Sequence, residues 1–328
     1  MKHVEHVNDI YTSESDNIYL ADNGLYIRDV CIGADIDDEV VIGHISDIHL
    51  NYCNQQDFDE ADPVLMSTYE NRVWCANGET VPKLRRCLEF LKDTDLIVAN
   101  GDTMDYLSHG TMELMQKELW DKVADVIATV GGHEIAVKMQ GEVDEVLTRD
   151  ERIEIIKKYW KHDIYYVSRL VKNKVLVIGM LNDNATCTAE QKLKLEADLD
   201  LARKKGYAVL IFAHEAFATN NPKYKSVTFD DILNPGDAGG FPRDFCTGEG
   251  NGMKLAGNHE SDADTKAVYN LIVNSADVIK AVVVGHYHND MYNEITAKYP
   301  DGTDTVIPQY LHTASAYDDG HVMRIIIK

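Results

Sequence analysis

Aspartate and histidine, set at short spacings, are the residues of this sequence best suited to chemistry. Asp47 and His49 stand two apart in a D-x-H string, and on an extended backbone two such side chains point the same way and can grip one cation. Asp102 follows Gly101, where a carboxylate with two oxygens can bridge two cations while the glycine lets the backbone turn closely around them. His286 and His288 form a G-H-x-H turn, His214 adds an imidazole ahead of Glu215, and Gly131-Gly132-His133-Glu134 adds a further polar cluster. Taken singly, each has a bland explanation: D-x-H recurs by chance, and a solitary histidine is usually a hydrogen-bonded structural residue. Their joint occurrence at successive strand ends points to a metal site.

Something must bring these residues together, and the apolar runs in front of them do so. Val40 to Ile45 leads into Asp47 and His49, Leu96 to Ala99 into Asn100-Gly101-Asp102, and Val126 to Val130 into Gly131. Val209 to Phe212 leads into His214, and Ala281 to Val284 into Gly285 and His286. Between the runs lie segments of helical period at Val81 to Lys92, Met112 to Ala124, Ala189 to Lys205 and Asp264 to Ala276. Strands alternating with covering helices predict an α/β sandwich, and ligands in such sheets collect beyond the carboxyl ends of the strands. Lys174 to Leu181 and Val306 to Leu311 read as a further strand pair, with Val322 to Ile327 behind it.

Residues 17 to 32 alternate about Asp22-Asn23-Gly24 and read as a β-hairpin, a cover or an edge within an N-terminal segment 1–39. Residues 40–328 read as one domain with insertions near 51–80, acidic and containing Cys53 and Trp74, and near 219–263, rich in Gly, Asn, Pro and Asp. Each insertion reads either as a substrate-shaping loop or as disordered surface.

The 328 residues are 45% hydrophobic, enough for a substantial core. Lys and Arg total 32 against 55 Asp and Glu, a net charge of −23 that argues against duplex nucleic acid as a partner. The 6 cysteines show no C-x-x-C pairing and read as reduced thiols. The N-terminus lacks a basic start and apolar run, and no stretch reaches the roughly 20 apolar residues that cross a bilayer, so the expected location is cytoplasmic, with no membrane partner.

The ordered set DIH, NGD, GGHE, AHE and GHYH, over roughly residues 40 to 320, resembles the calcineurin-like metallophosphoesterases, whose motifs run D-x-H, G-D, G-N-H-[D/E], H and G-H-x-H. The resemblance implies two facing mixed β-sheets flanked by helices and a dinuclear metal centre at the strand ends. It implies that Asp47, His49, Asp102 and His288 hold the first metal, and that Asp102 bridges to a second held also by His214 and His286. His133 would be the catalytic imidazole, beside the phosphate and not a ligand. A donor set of nitrogen and oxygen without thiolate favours Mn²⁺, Fe or Zn²⁺.

One position departs from the family pattern. Where the third motif carries an asparagine that ligates the second metal, this chain has Gly132. The second ion would then take an extra water, recruit Glu134 or a group from an insertion, or bind weakly. The literal string Gly257-Asn258-His259-Glu260 occurs later, after His214, and reads as an exposed turn in which Ser261 or Asp262 caps the next helix; the other reading has it fold back to the site. Position 105 is aspartate, with the tyrosine at 106, which argues against a tyrosinate-bound ferric site. The arginines of the Ser/Thr protein phosphatase pattern are also missing.

The expected function is therefore metal-dependent hydrolysis of a small phosphorylated substrate, a phosphomonoester or phosphodiester. The alternative is a metallophosphoesterase-fold scaffold, weak or inactive because of Gly132. A nuclease activity is opposed by the charge and the lack of a basic stripe.

Overall fold

The computed structural model describes residues 13–72, 79–135, 147–182, 186–224 and 262–328. The string at 257–260, Ser261 and Trp74 lie outside them.

Two six-stranded mixed sheets face each other. The first runs in the order β1 (Asp16–Leu20), β2 (Tyr26–Ile32), β12 (His321–Ile327), β3 (Val40–Ile45), β4 (Leu96–Asn100), β5 (Val126–Thr129). The second runs β10 (Met291–Lys298), β11 (Asp304–Leu311), β9 (Ile279–Val284), β8 (Ala208–Ala213), β7 (Val175–Met180), β6 (Tyr166–Val171). Alternation along the strands divides the core. Val40, Ile42, Leu96 and Val98 of the first sheet pack on Val177, Leu210, Phe212 and Val283 of the second, while the residues between them face outward to helices.

The first sheet is covered outside by α3 (Thr80–Leu91), α4 (His109–Met115) and α6 (Arg149–Ile156); the second is covered by α7 (Ala189–Lys205) and α8, the helix Ala263–Val273. Helix α7 fills the expected span because its signals agree. Thr188 and Gln191 form a capping box, Leu195, Leu199 and Ala202 are buried at helical spacing, and Gly206 closes the helix at φ 71°. Helix α8 is capped by Asp262, whose side chain accepts from the amide of Thr265, as expected. The helix expected from Met112 to Ala124 begins earlier, with Ser108 as its cap, and runs into a π-helical stretch, Gln116–Trp120. Among the described residues no helix is long and apolar enough to cross a membrane.

Three readings change. The expected strand pair is no pair, since β9 and β8 separate β11 from β7. Residues 321–327 do not lie behind it either: β12 enters the other sheet, parallel to β2 and antiparallel to β3. The stretch after residue 50 is largely helical, with α1 (Gln55–Glu60) started by an Asn54 capping box and α2 (Pro63–Arg72) following it. The hairpin makes the outer two strands of the first sheet. Its β2 strand carries Arg28, fully buried, which donates to Asp290 and the Leu311 carbonyl across the sheet interface and pairs with Asp16 at 2.7 Å.

Candidate metal centre

Strands β3, β4 and β5 are mutually parallel, and so are β8 and β9, so their carboxyl ends gather the five polar clusters at one edge. Asn100, at the end of β4, stitches the sheets together there: its Nδ2 donates to the carbonyls of Ala213 and Val283, and Thr129 donates to its Oδ1.

The backbone turns sharply to aim the side chains. Asp47, His49, Asp102, His286 and His288 all have positive φ, between 46° and 71°. This left-handed region is unfavourable for residues with a Cβ by about 1–3 kcal/mol each, a cost that persists where surrounding structure enforces the geometry. Here Asp47 donates its amide to the Gly101 carbonyl, and His49 donates to that of Asp102, locking the two loops together. The expected extended D-x-H is thus corrected: two left-handed residues bring Asp47 and His49 together. Gly101, itself at φ 79°, lies so near His214 that a Cβ would sit 2.2 Å from its Nδ1.

Three groups of donors result, each with one donor atom per residue within 4.8 Å of the others. Asp47, His49 and His288 form the first, Asp102, His214 and His286 the second, and His49, Asp105 and His133 a third on the outer side of the first. In the first group, His288 Nε2 lies 3.2 Å from Asp47 Oδ1 and 3.2 Å from His49 Nε2. In the second, His214 Nε2 lies 3.1 Å from Asp102 Oδ2, buried and without a hydrogen bond, while its Nδ1 is 2.9 Å from the Asn100 carbonyl. The groups adjoin, with His214 Nε2 also 3.9 Å from Asp47 Oδ1. All six sequence-derived candidate ligands are therefore brought to one place, with carboxylates and ring nitrogens converging as a divalent cation requires.

The electrostatics are those of a carboxylate–imidazole cluster. Burial opposes the charge of Asp47, but His288 and His214 override it and hold the carboxyl below its usual range. Asp102 behaves likewise, held low against burial by His214 and His133. Burial keeps His49 below the ordinary imidazole value despite Asp105, and burial with the neighbouring His214 pushes His286 down to about 3. Neutral imidazoles at these positions keep a lone pair for a cation.

His133 stands at the outer side, its side chain 28% exposed. Its Nδ1 lies 2.8 Å from the Asp105 carbonyl and 3.2 Å from the Asp105 carboxylate, its amide donates to Asp102 Oδ1, and its Nε2 is 4.0 Å from Asp102 Oδ2. Burial disfavours its charge, yet Asp102 and Asp105 raise it to about 9.

Asp105, which the sequence reading noted only as the residue standing where a tyrosinate would, joins the cluster. Its buried carboxylate takes His49 Nδ1 at 3.1 Å, Asn51 Nδ2 at 3.0 Å and the guanidinium of Arg72, the last residue of α2. The signal available was its place three residues after Asp102. Tyr106, beside it, turns to the thiol of Cys53 instead. Glu134 is not brought in as a substitute ligand: its two oxygens accept the amides of Asp102, Gly131 and Met104, and burial with the nearby Asp102 pushes its carboxyl up to about 7. The 257–260 string lies outside the described residues.

The profile of the calcineurin-like phosphoesterases matches residues 40–290. Among solved structures the chain is similar to a dimetal phosphatase from Danio rerio, at 14% identity over 84% of this chain and 87% of that one, with a TM-score of 0.43. It is also similar to a purple acid phosphatase from yellow lupin seeds, at 11% identity over 88% of this chain and 44% of that one, with a TM-score of 0.44. No curated protein is matched. With the five motifs at the strand ends of two facing sheets and the profile spanning most of its length, the chain belongs to the calcineurin-like phosphoesterase family.

Proposed function

We propose that this protein hydrolyses phosphate esters of small molecules at a dinuclear metal centre. The observation that carries the reading is the pair of adjoining donor groups, Asp47–His49–His288 and Asp102–His214–His286, with His133 beside them. Asp47, His49 and His288 would hold one divalent ion and His214 and His286 the other, with Asp102 between them. The ions would supply charge neutralisation of the phosphoryl oxygens and a lowered pKa for the attacking water. The donor set of nitrogen and oxygen suits Mn²⁺, iron or Zn²⁺.

The chain's own groups do the rest. Asp47 is kept in place by the amide of His286 and the hydroxyl of Ser46, and Asp102 by the amide of His133. His133, its Nδ1 fixed on Asp105, has Nε2 to offer a substrate, and carries the proton that the leaving oxygen needs as its bond to phosphorus breaks and the water's bond forms. Arg72 and Asn51 fix Asp105 in turn.

One observation supports a second reading. Gly132 offers no side chain and Glu134 is engaged elsewhere, so the second donor group is one ligand short of the family pattern, as in a scaffold with a weak or idle site. Elemental analysis of the purified protein, with hydrolysis of an aryl phosphate monoester and diester in added Mn²⁺, separates the readings. Near two metals per chain with turnover supports the hydrolase, and the preferred ester sets the substrate class. No turnover with Mn²⁺, Fe²⁺ or Zn²⁺ leaves the scaffold.

A further inference from the structure

The loop that joins β11 to β12, residues 312–320, lies beyond the 40–290 span of the family profile and reaches the metal centre from outside the motifs. It is tied down at several points. Ser315 donates its amide to the Ser46 carbonyl, and Ser46 donates back to the Ser315 hydroxyl. From α3, Lys83 reaches the carbonyl of Ala316 at 2.6 Å and Arg86 that of Asp319 at 2.8 Å. This loop presents Tyr317, whose hydroxyl is 2.7 Å from Nδ1 of His288, the two rings edge-on with centroids 5.3 Å apart.

We infer that Tyr317 is a positioning residue for His288, and that its phenol allows that imidazole to exchange tautomers when a cation binds. The inference rests on the dinuclear reading above. An imidazole that ligates through one nitrogen commonly donates its other N–H to a carboxylate or carbonyl. Asp105 stands in that position for His49, and the Asn100 carbonyl for His214. Both of those partners can only accept, which commits Nδ1 to carrying a proton and turns Nε2 toward the site. The phenol both accepts and donates. Without a cation, His288 can carry its proton on Nε2, donate it to Asp47 Oδ1 at 3.2 Å, and accept the Tyr317 O–H at Nδ1. With a cation, the proton sits on Nδ1, the phenol oxygen accepts it, and Nε2 is left as a donor atom. The ring need not move between the two arrangements. The first donor group thus contains one imidazole fixed by a carboxylate and one held by an adaptable hydroxyl.

The test is a Co²⁺ titration of the full chain followed by visible absorption, with Zn²⁺ competition, for wild type and Tyr317→Phe. The expected result is a 10- to 100-fold weaker first site and an altered Co²⁺ spectrum, with the melting temperature of the metal-free protein little changed. Equal affinity and an unchanged spectrum in Tyr317→Phe overturn the inference. A second measurement does not depend on the variant's folding. Long-range ¹H–¹⁵N correlation on the wild-type imidazoles should place the His288 proton on Nε2 in metal-free protein and on Nδ1 after Zn²⁺ is added; one tautomer in both states overturns the exchange. If wild type takes up neither Co²⁺ nor Zn²⁺, the dinuclear reading itself has failed, an outcome distinct from either of these.

Discussion

Two pairs of histidines in this molecule make the same close approach and have opposite characters. His49 and His288 face each other at 3.2 Å through Nε2; His44 and His312 do so at 3.1 Å through Nδ1. His44 continues the inward row of β3 after Val40 and Ile42, with its ring 5.6 Å from that of Phe212, and the Nε2 atoms of both His44 and His312 are buried without a hydrogen bond. Neither of these two rings hydrogen-bonds a carboxylate among the described residues. His49 and His288 sit past the strand ends, on left-handed backbone, against Asp105 and Asp47. Proximity of imidazoles is therefore common to both pairs and cannot define a metal centre. Anionic oxygen beside the ring nitrogens does, because a buried cation needs opposite charge to offset its lost hydration.

The strongest way to break this contrast is to remove the anion and leave the imidazoles. Asp102→Asn should abolish metal retention and lower turnover by more than the roughly 10- to 100-fold expected of an outer partner. Elemental analysis and aryl phosphate hydrolysis check it, and wild-type turnover in this variant would sink the dinuclear centre. His133→Ala should instead keep the metals and lose about 10²- to 10⁴-fold in rate, the range for a general acid. Asp105→Asn, which acts on the same histidine by positioning, should lose less rate and also weaken the first metal through His49.

The other pair should respond to acid. Burial pushes His312 down to about 4 and holds His44 well below the ordinary value, so both are neutral in the folded chain. Their unfolded counterparts titrate near 6.5. A depressed histidine favours the folded state fully above the unfolded value, and this contribution is lost as pH falls from about 6.5 toward 4, by about 3 kcal/mol for His312 alone. Urea unfolding between pH 7 and 4 should show that slope, and His44→Phe with His312→Leu should flatten it while leaving metal content unchanged. A double variant that loses metal, or keeps the slope, removes the distinction between the pairs.

The sequence carried the first layer of the site because each ligand follows an apolar run, a local pattern that needs no partner to be read. It carried α7 to the residue for the same reason: cap, period and terminal glycine agree. What it lacked was pairing between distant segments. Nothing in His321–Ile327 says that it inserts between β2 and β3, since a strand's neighbours are fixed by packing and not by its own residues. The strand β10 went unread although Met291–Lys298 alternates buried and more open residues. The outer layer of the site was hidden more deeply. Arg72 reaches Asp105 from 33 residues away and Tyr317 reaches His288 from 29, at spacings that no motif records.

Gly132 offers the smallest and sharpest test of the contrast, by adding a neutral oxygen where the others remove a charge. It begins the short helix α5 (Gly132–Ile135) and is half-buried, unlike Gly131, where a Cβ would lie 2.3 Å from Asp102 Oδ1. Its backbone lies outside the positive-φ set, so a residue with a Cβ meets no left-handed backbone strain there. Gly132→Asn should give the second donor group a fourth donor, an amide oxygen, and tighten the second metal by about 10-fold, roughly 1.4 kcal/mol. Mn²⁺ titration by calorimetry would show the weaker of two binding steps strengthened, with the stronger one unmoved. Unchanged binding would mean that another group already fills the place of the missing ligand. Glu134 cannot be that group while its oxygens hold three backbone amides, so the replacement would have to come from elsewhere in the chain or from solvent.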